Sequence, residues 1–108
     1  MATARMPQPT ADDPVKVDPK HYKVEFENDR VRVLRIKYGP GEKSVMHSHP
    51  ESIAVFLTDT RGKFTYPDGQ TEDINANAGT VQHMDAFTHL PESTMKTPFE
   101  VIAVELKL

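Results

Sequence analysis

The chain has 108 residues, a formal net charge of −3 and no cysteine. This length supports one domain with a single hydrophobic core, and the slightly acidic charge provides no basic field that would attract nucleic acid. The absence of cysteine excludes disulfides and thiolate metal ligands. No apolar run approaches the roughly 20 residues that cross a bilayer, and the first residues lack the continuous apolar core of a secretory signal. We therefore expect a soluble, cytoplasmic protein that binds neither nucleic acid nor membrane.

The first 20 residues differ in composition from the rest of the chain. They contain four prolines, several aspartates and lysines, and almost no side chain that would gain from burial. Such a segment cannot repay the entropy cost of its own ordering. The sequence therefore predicts a disordered or arm-like N-terminal tail over residues 1–20 and one domain over residues 21–108.

Short β-strands are the elements that the sequence pattern predicts after residue 20. Apolar and polar residues alternate in several segments, and no stretch shows a convincing period of 3.6 residues. We expect strands at 22–26, 31–38, 47–49, 53–57, 64–66, 71–74 and 80–84, near residue 89, and at 99–106. The apolar run at 53–57 indicates a strand that is buried on both faces, and residues 58–62 indicate a turn. Many short strands with Pro and Gly between them are typical of an all-β sandwich or closed barrel.

Two histidines, His47 and His49, stand two positions apart in a region that favours strands. On a strand they share one face and lie about 6–7 Å apart. At that separation two imidazoles can bind one metal ion, which needs nitrogen at roughly 2.0–2.2 Å. His89 would add a third imidazole from a neighbouring strand and leave open coordination positions for water or substrate. The alternative is that His47 and His49 are solvent-facing residues on an exposed strand face.

Two sequence motifs resemble those of the cupin family. Gly41, followed after five residues by the His-Ser-His segment 47–49, is similar to the first half of the first cupin motif. Residues 78–89, which begin with Ala-Gly and end with His89, are similar to the second motif. The resemblance spans roughly residues 31–106. It implies a double-stranded β-helix, or jelly-roll, barrel with a metal pocket formed by the three histidines inside it.

The carboxylate ligand of the cupin pattern is missing from its usual place. Cupins usually carry a metal-binding Glu shortly after the second histidine, but this chain has Ser52, Ile53 and Ala54 there. Glu51 is the only nearby carboxylate and could replace the missing ligand, although Pro-Glu at this point is typical of a turn. Three neutral imidazoles suit Zn²⁺, Fe²⁺, Ni²⁺ or Cu²⁺, whereas Mn²⁺ and Mg²⁺ favour carboxylate oxygen.

The candidates for a catalytic side chain are His83 and Gln82, which are neighbours on one predicted strand. His83 shares its face with Val81, Gln82 shares the other with Met84, and the sequence leaves open which face is the inner one. An inward His83 would be a fourth ligand or a general base, and an inward Gln82 would hydrogen-bond a substrate or a metal-bound water. We favour an outward or rim position for His83, because an interior histidine needs a polar partner and none is evident. We expect His21 to be a surface residue.

Several functions remain open on the sequence alone. The first is a metal-dependent enzyme that acts on a small oxygen-rich molecule by Lewis-acid isomerase or lyase chemistry, or by dioxygenase chemistry. The second is a non-enzymatic binding or sensing module for a small-molecule ligand, and the third is a barrel that has lost its metal. The resemblance to cupins also implies a homodimer in which residues 15–26 pair across the interface. Whether the chain is an enzyme is therefore left open.

Overall fold

The computed structural model describes residues 12–107, and over this range the chain is almost entirely β-structure. It contains one short helix, α1 (Pro14–Val17). Nine strands follow: β1 (Tyr22–Glu27), β2 (Val31–Tyr38), β3 (His47–His49), β4 (Ser52–Phe56), β5 (Thr60–Thr65), β6 (Thr71–Ala76), β7 (Val81–Met84), β8 (Phe87–Ser93) and β9 (Phe99–Leu106). The all-β prediction is confirmed. Among the described residues, no helix has the length and apolar character needed to cross a membrane.

The strands form two antiparallel sheets, which together enclose the core. The first sheet has the order β1-β2-β9-β4-β7, and the second has the order β3-β8-β5-β6. In the second sheet, the register of β3 and β8 places His47 opposite His89 and His49 opposite Phe87. The double-sheeted barrel expected from the sequence is therefore confirmed. Its strand pairing joins the two histidine segments, which are far apart in the sequence.

Alternating side chains of the first sheet build the core of the barrel. β9 buries every second residue, and β2 buries Leu34 completely. β4 alternates in the same way, with Ala54 and Phe56 buried. The expectation that 53–57 is buried on both faces is therefore wrong, since the intervening residues of β4 are only half-buried and Leu57 is exposed. The outer face of this sheet is partly open, so its apolar residues there stay in contact with solvent.

A further correction concerns residues 58–62, for which the sequence predicts a turn. Strand β5 already begins at Thr60, and Gly62 lies inside it, paired with β8. A Cβ atom at Gly62 would lie only 2.5 Å from the backbone carbonyl oxygen of Glu92. Glycine therefore permits a close approach of β5 to β8, the strand that carries His89.

The N-terminal segment packs on the barrel from residue 12 onward, although the predicted tail extends to residue 20. Residues 1–11 lie outside the described part of the chain. Asp13 caps α1 by accepting a hydrogen bond from the backbone N–H of Val15 at 3.1 Å. The backbone N–H of Ser48 in β3 donates to the carbonyl oxygen of Asp12 at 2.9 Å. These polar contacts hold the segment together with the buried Pro14 and with Val15, which packs against the core, and the low apolar content of residues 1–20 does not reveal them.

Candidate metal centre

The three histidines singled out by their spacing lie together inside the barrel. His47, His49 and His89 expose 0%, 6% and 4% of their surface. One ring nitrogen from each lies within 4.8 Å of those of the other two. The ring centroids are 4.8–5.2 Å apart, and the ring planes cross at 72–83°. The alternative of solvent-facing histidines on an exposed strand is therefore wrong, because the pairing of β3 with β8 turns all three rings inward.

A hydrogen bond at one nitrogen of His47 leaves the other free for a ligand, and neither nitrogen of His89 is hydrogen-bonded. Nδ1 of His47 donates to the carbonyl oxygen of Val45 at 2.8 Å, so Nε2 carries the lone pair. Within the described residues, the buried Nε2 of His47 and both ring nitrogens of His89 have no hydrogen-bond partner. Buried polar atoms are rarely left unpaired, because their desolvation is not repaid. A ligand bound at this place would satisfy these nitrogens.

The protonation of the cluster suits metal binding. Burial lowers the pKa of His47 to about 4, and the neighbouring His49 adds to this shift. Burial also lowers the pKa of His89, with further contributions from His49 and His47. Both rings are therefore neutral at pH 7, which is the form of imidazole that binds a metal ion. The burial, the unpaired nitrogens and the neutral donors all fit a metal ion.

A buried carboxylate that sequence reasoning missed lies directly behind the cluster. Glu105 of β9 is 1% exposed, and its Oε2 accepts a hydrogen bond from Nδ1 of His49 at 2.9 Å. The contact leaves Nε2 of His49 free to act as a ligand, since a carboxylate accepts but does not donate. A carboxylate in this position is a common partner of metal-binding histidines. The signal in the sequence is parity, because Glu105 follows Val101 and Ala103 on the inward face of its strand.

Arg32 and Asp13 continue the polar contacts behind Glu105. Arg32 stands directly opposite Glu105 in the pairing of β2 with β9, and its Nε donates to Oε1 of Glu105 at 2.9 Å. The two terminal nitrogens of Arg32 donate to both carboxylate oxygens of Asp13, at 2.8 and 2.9 Å. Burial raises the pKa of Asp13, but hydrogen bonds from Arg32 and from the Val15 N–H outweigh it and leave the pKa below its usual value. Asp13 is therefore ionised at neutral pH.

The two catalytic candidates of β7 point in opposite directions. Gln82 pairs with the inward residue Ala54 and lies in the wall of the cavity beside the histidines, although much of its side chain stays exposed. His83 points outward with about half of its side chain exposed, and its Nε2 contacts Oε2 of Glu51 at 2.7 Å. Glu51, His83 and Asp85 form a second group, at the surface, that could hold a metal ion. The structure thus places Glu51 beside His83 and outside the buried histidine cluster.

A cavity of about 140 Å³ adjoins the cluster. His49 and His89 form part of its wall, together with polar residues that include Ser52, Thr60, Gln82 and the carboxylates of Glu72 and Glu92. The apolar part of the wall includes Ile36, Phe56, Phe64, Met84, Phe87 and Phe99. A cavity of roughly this size with apolar walls accommodates a single benzene ring. The space beside the histidines therefore suits a small molecule with an apolar body.

Aromatic rings also fix the orientation of the histidines. Phe87 stacks on His49 with ring centroids 5.5 Å apart. Phe64 meets His89 edge-on at 4.3 Å. Such contacts combine apolar burial with a preferred ring geometry, so the imidazoles have little freedom to turn.

His21 is buried, and the expectation of a surface position is wrong. Its ring stacks on Tyr38 with centroids 4.2 Å apart, and 5% of the residue is exposed. Nδ1 contacts a carboxylate oxygen of Asp18 at 2.7 Å, and Nε2 contacts one of Glu42 at 3.0 Å. His21 is satisfied by these partners and does not belong to the histidine cluster. The packing of the segment before it explains why it is covered.

Comparisons with known proteins identify the fold. No protein-family model matches the sequence, and no curated protein matches it. The chain is similar in structure to a cupin domain from Bordetella pertussis, with a TM-score of 0.75 and 21% sequence identity over 95% of this chain and 99% of that chain. It is also similar to an uncharacterized conserved protein with a double-stranded β-helix domain from Klebsiella pneumoniae, with a TM-score of 0.65 and 16% identity over 93% of this chain and 82% of the other.

A third similar structure is that of the polyketide cyclase RemF from Streptomyces resistomycificus. Its TM-score is 0.59 and its identity 17%, over 81% of this chain and 64% of that one. At such identities the likeness establishes the fold. The chain is therefore a protein of the cupin fold, as the two sequence motifs implied. It is a small protein of this fold with three buried histidines that could hold a metal ion.

Proposed function

We propose that the chain binds one divalent transition metal ion through His47, His49 and His89, and that it holds a small molecule beside that ion in the barrel cavity. The observation that carries the proposal is the set of buried, unpaired ring nitrogens in neutral imidazoles. Three protein ligands leave at least one coordination position for a substrate or water. The cavity lies next to His49 and His89, where that position would open.

The ligand set favours Zn²⁺, Fe²⁺, Ni²⁺ or Cu²⁺. Three imidazoles suit these ions, whereas Mn²⁺ and Mg²⁺ prefer carboxylate and water oxygens. Glu51 lies with His83 at the surface, and Glu105 contacts the outer nitrogen of His49. Neither carboxylate therefore serves as the missing cupin Glu in this arrangement.

The bound molecule should be small, with an apolar body and an oxygen atom at one edge. The aromatic wall and the volume of about 140 Å³ favour a body of roughly one ring. The oxygen would face the histidines, and the amide of Gln82 in the cavity wall would hydrogen-bond a second polar group. The sequence alone suggests an oxygen-rich molecule. Because much of the cavity wall is apolar, we expect the polar atoms of that molecule to lie along one edge.

The chemistry we propose is Lewis-acid isomerase or lyase chemistry, with dioxygenase chemistry as a variant if the metal is Fe²⁺. A bound metal supplies polarisation of the substrate oxygen. The aromatic wall orients the apolar body, while Gln82 fixes the polar group. One solved structure of this fold is a polyketide cyclase, which makes ring-forming chemistry on an oxygen-bearing substrate one candidate reaction.

A non-enzymatic binding or sensing role is the second candidate function. It is favoured by Gln82, the β7 candidate that lies in the cavity wall, because an amide cannot act as an acid or base, although the carboxylates of Glu72 and Glu92 also lie in that wall. The nearby His83, which could do so, points away from the cavity. Turnover of a bound ligand supports the enzyme, and tight binding without chemical change supports the binding module.

The experiment that tests the metal site compares two histidine variants. Wild-type protein, His89→Ala and His83→Ala are loaded with Zn²⁺, desalted and measured by native mass spectrometry. We expect one equivalent in the wild type and in His83→Ala, and loss of the ion in His89→Ala. His89→Gln, which keeps more of the side-chain volume, separates loss of the ligand from loss of packing. An ion that survives in both His89 variants contradicts the proposal.

We also propose that the chain forms a homodimer and that residues 15–26 contribute to its interface. Strand β1 lies at an edge of the first sheet, and its Val24 and Phe26 are 41% and 51% exposed. Exposed apolar edge strands are usually covered in a native assembly. Gel filtration should give about twice the chain mass of 12.2 kDa, and a monomer mass at micromolar concentration contradicts the dimer. A cytoplasmic location stays a prediction from the sequence.

A further inference from the structure

We propose that Asp13, in the segment before the barrel, is a positioning residue for His49 and acts on it through Arg32 and Glu105. The inference rests on the proposed function, since its purpose is to prepare His49 as a metal ligand. It concerns a part of the chain that composition alone assigns to a tail. Four side chains, those of Asp13, Arg32, Glu105 and His49, form one uninterrupted series of hydrogen bonds.

The series begins at Asp13 and ends at the ring of His49. Asp13 accepts from both terminal nitrogens of Arg32 at 2.8 and 2.9 Å. Arg32 donates through Nε to Oε1 of Glu105 at 2.9 Å, and its Nη2 lies at the same distance from that oxygen. The other oxygen of Glu105 accepts from His49 Nδ1 at 2.9 Å. The side chain of Arg32 is 11% exposed, and those of the other three are at most 7% exposed.

This geometry selects the tautomer of His49. A carboxylate only accepts hydrogen bonds, so the contact with Glu105 places the ring proton on Nδ1. Nε2 then carries the lone pair that a metal requires. Because Arg32 is bound to Oε1, the carboxylate of Glu105 cannot rotate freely, and Oε2 stays directed at the histidine.

Asp13 is the part that holds Arg32 in this orientation. A paired contact between a guanidinium and a carboxylate fixes the plane of the guanidinium as well as its position. Without Asp13, Nη1 of Arg32 loses its partner and Nη2 keeps only its contact with Oε1 of Glu105, so the plane of the guanidinium is held less firmly against Glu105. The effect of Asp13 on His49 is thus indirect, because Asp13 orients Arg32 and Arg32 orients Glu105.

The same N-terminal segment is attached to the histidine strand itself. The carbonyl oxygen of Asp12 accepts from the backbone N–H of Ser48, the residue between His47 and His49. Two neighbouring residues therefore reach the histidine strand in different ways. Asp12 contacts the backbone of β3, and Asp13 begins the series of hydrogen bonds that ends at His49. Both contacts would place the ligand strand before any metal arrives, which is the preorganisation that functional sites need.

The test compares Asp13→Asn with Asp12→Asn, an exposed neighbour whose contact with β3 is made by its backbone. Asparagine is also a good helix cap, so Asp13→Asn keeps the cap of α1 while it removes the charge that faces Arg32. In metal-free protein, long-range ¹H–¹⁵N correlation spectra report which ring nitrogen of His49 carries the proton. Competition with a chromophoric chelator then gives the dissociation constant for Zn²⁺.

We expect the Nδ1–H form of His49 to dominate in the wild type and in Asp12→Asn, and to be mixed in Asp13→Asn. Loss of a partner behind a metal ligand typically weakens binding about 10–100-fold. Glu105→Gln, which changes the direct partner, should fall in that range, and Asp13→Asn near its lower end, at about tenfold. A matching readout for Asp13→Asn and Asp12→Asn, in both the spectra and the dissociation constant, overturns the inference. If the wild type binds no metal, the proposed function fails, while the spectra of metal-free protein still decide the role of Asp13.

Discussion

Acid should destabilise the metal-free chain over a pH range that ordinary carboxylates do not cover. Burial lowers the pKa of His47 in the folded state to about 4, with a further contribution from His49, whereas an unfolded histidine titrates near 6.5. Between these two pH values, His47 is protonated in the unfolded chain and neutral in the folded chain. The free energy of unfolding must therefore fall as the pH falls from about 6.5 towards 4.

The magnitude follows from the shift of the His47 pKa. Each unit of difference corresponds to about 1.4 kcal/mol, so the full effect of His47 is on the order of 3 kcal/mol. His89, whose pKa is lowered in the same direction, adds to it. A small domain has only about 5–15 kcal/mol of stability, so the loss should be readily measurable.

Urea unfolding of chelator-treated protein, followed by circular dichroism at several pH values, measures this dependence. His47→Gln cannot titrate, so its unfolding free energy should depend less steeply on pH between 6.5 and 4.5. His83→Gln, which removes an exposed histidine, serves as the matched control and should keep the wild-type slope. A wild-type curve that is flat over this range, or a slope that His47→Gln leaves unchanged, refutes the reasoning about the buried cluster.

Three further variants test the fold and the cavity. Leu34→Ala removes a side chain that is fully buried between the sheets and should cost about 2–5 kcal/mol in urea unfolding; a cost below that range would mean that the core closes over the gap. Gly62→Ala places a Cβ atom 2.5 Å from the Glu92 carbonyl oxygen. We therefore expect the free energy of unfolding to fall by about 1–3 kcal/mol and the melting temperature to fall with it. An unchanged melting temperature would contradict the close approach of β5 and β8. Gln82→Leu should weaken the binding of an oxygen-bearing aromatic ligand by about 1 kcal/mol in calorimetry and leave the metal content at the wild-type value. Equal ligand affinity in Gln82→Leu and wild type would remove Gln82 from the proposed site.

The strand pattern and the three histidines were predictable because they depend on local rules. Alternation with a period of two sets which residues face inward, and the spacing of His47 and His49 places both on one face. The partner strand that brings His89 follows from the resemblance of two motifs. The direction of Gln82 was not predictable, since it depends on the register of β7 against β4, and a shift of one residue would exchange it with His83.

The polar residues behind the cluster were missed for a different physical reason. Arg32 and Glu105 meet because their strands pair in one register, and Asp13 joins them from a segment that has few apolar residues besides the buried Pro14 and Val15, which packs against the core. Composition measures the gain from apolar burial and takes no account of paired charges that satisfy one another. The same omission explains why His21 was expected at the surface. Glu105 is a lone acidic residue on the inward face of an apolar strand. That sequence feature would have indicated a buried carboxylate behind the histidines.

Anomalous diffraction from crystals grown with one equivalent of Zn²⁺ tests the central claim most directly. The account predicts one strong peak, with a nitrogen of His47, His49 and His89 each at roughly 2.0–2.2 Å. The exposed pair of Glu51 and His83 should carry no peak at this stoichiometry. An ion bound at that surface pair, or no ordered ion within the histidine cluster, would contradict the metal centre.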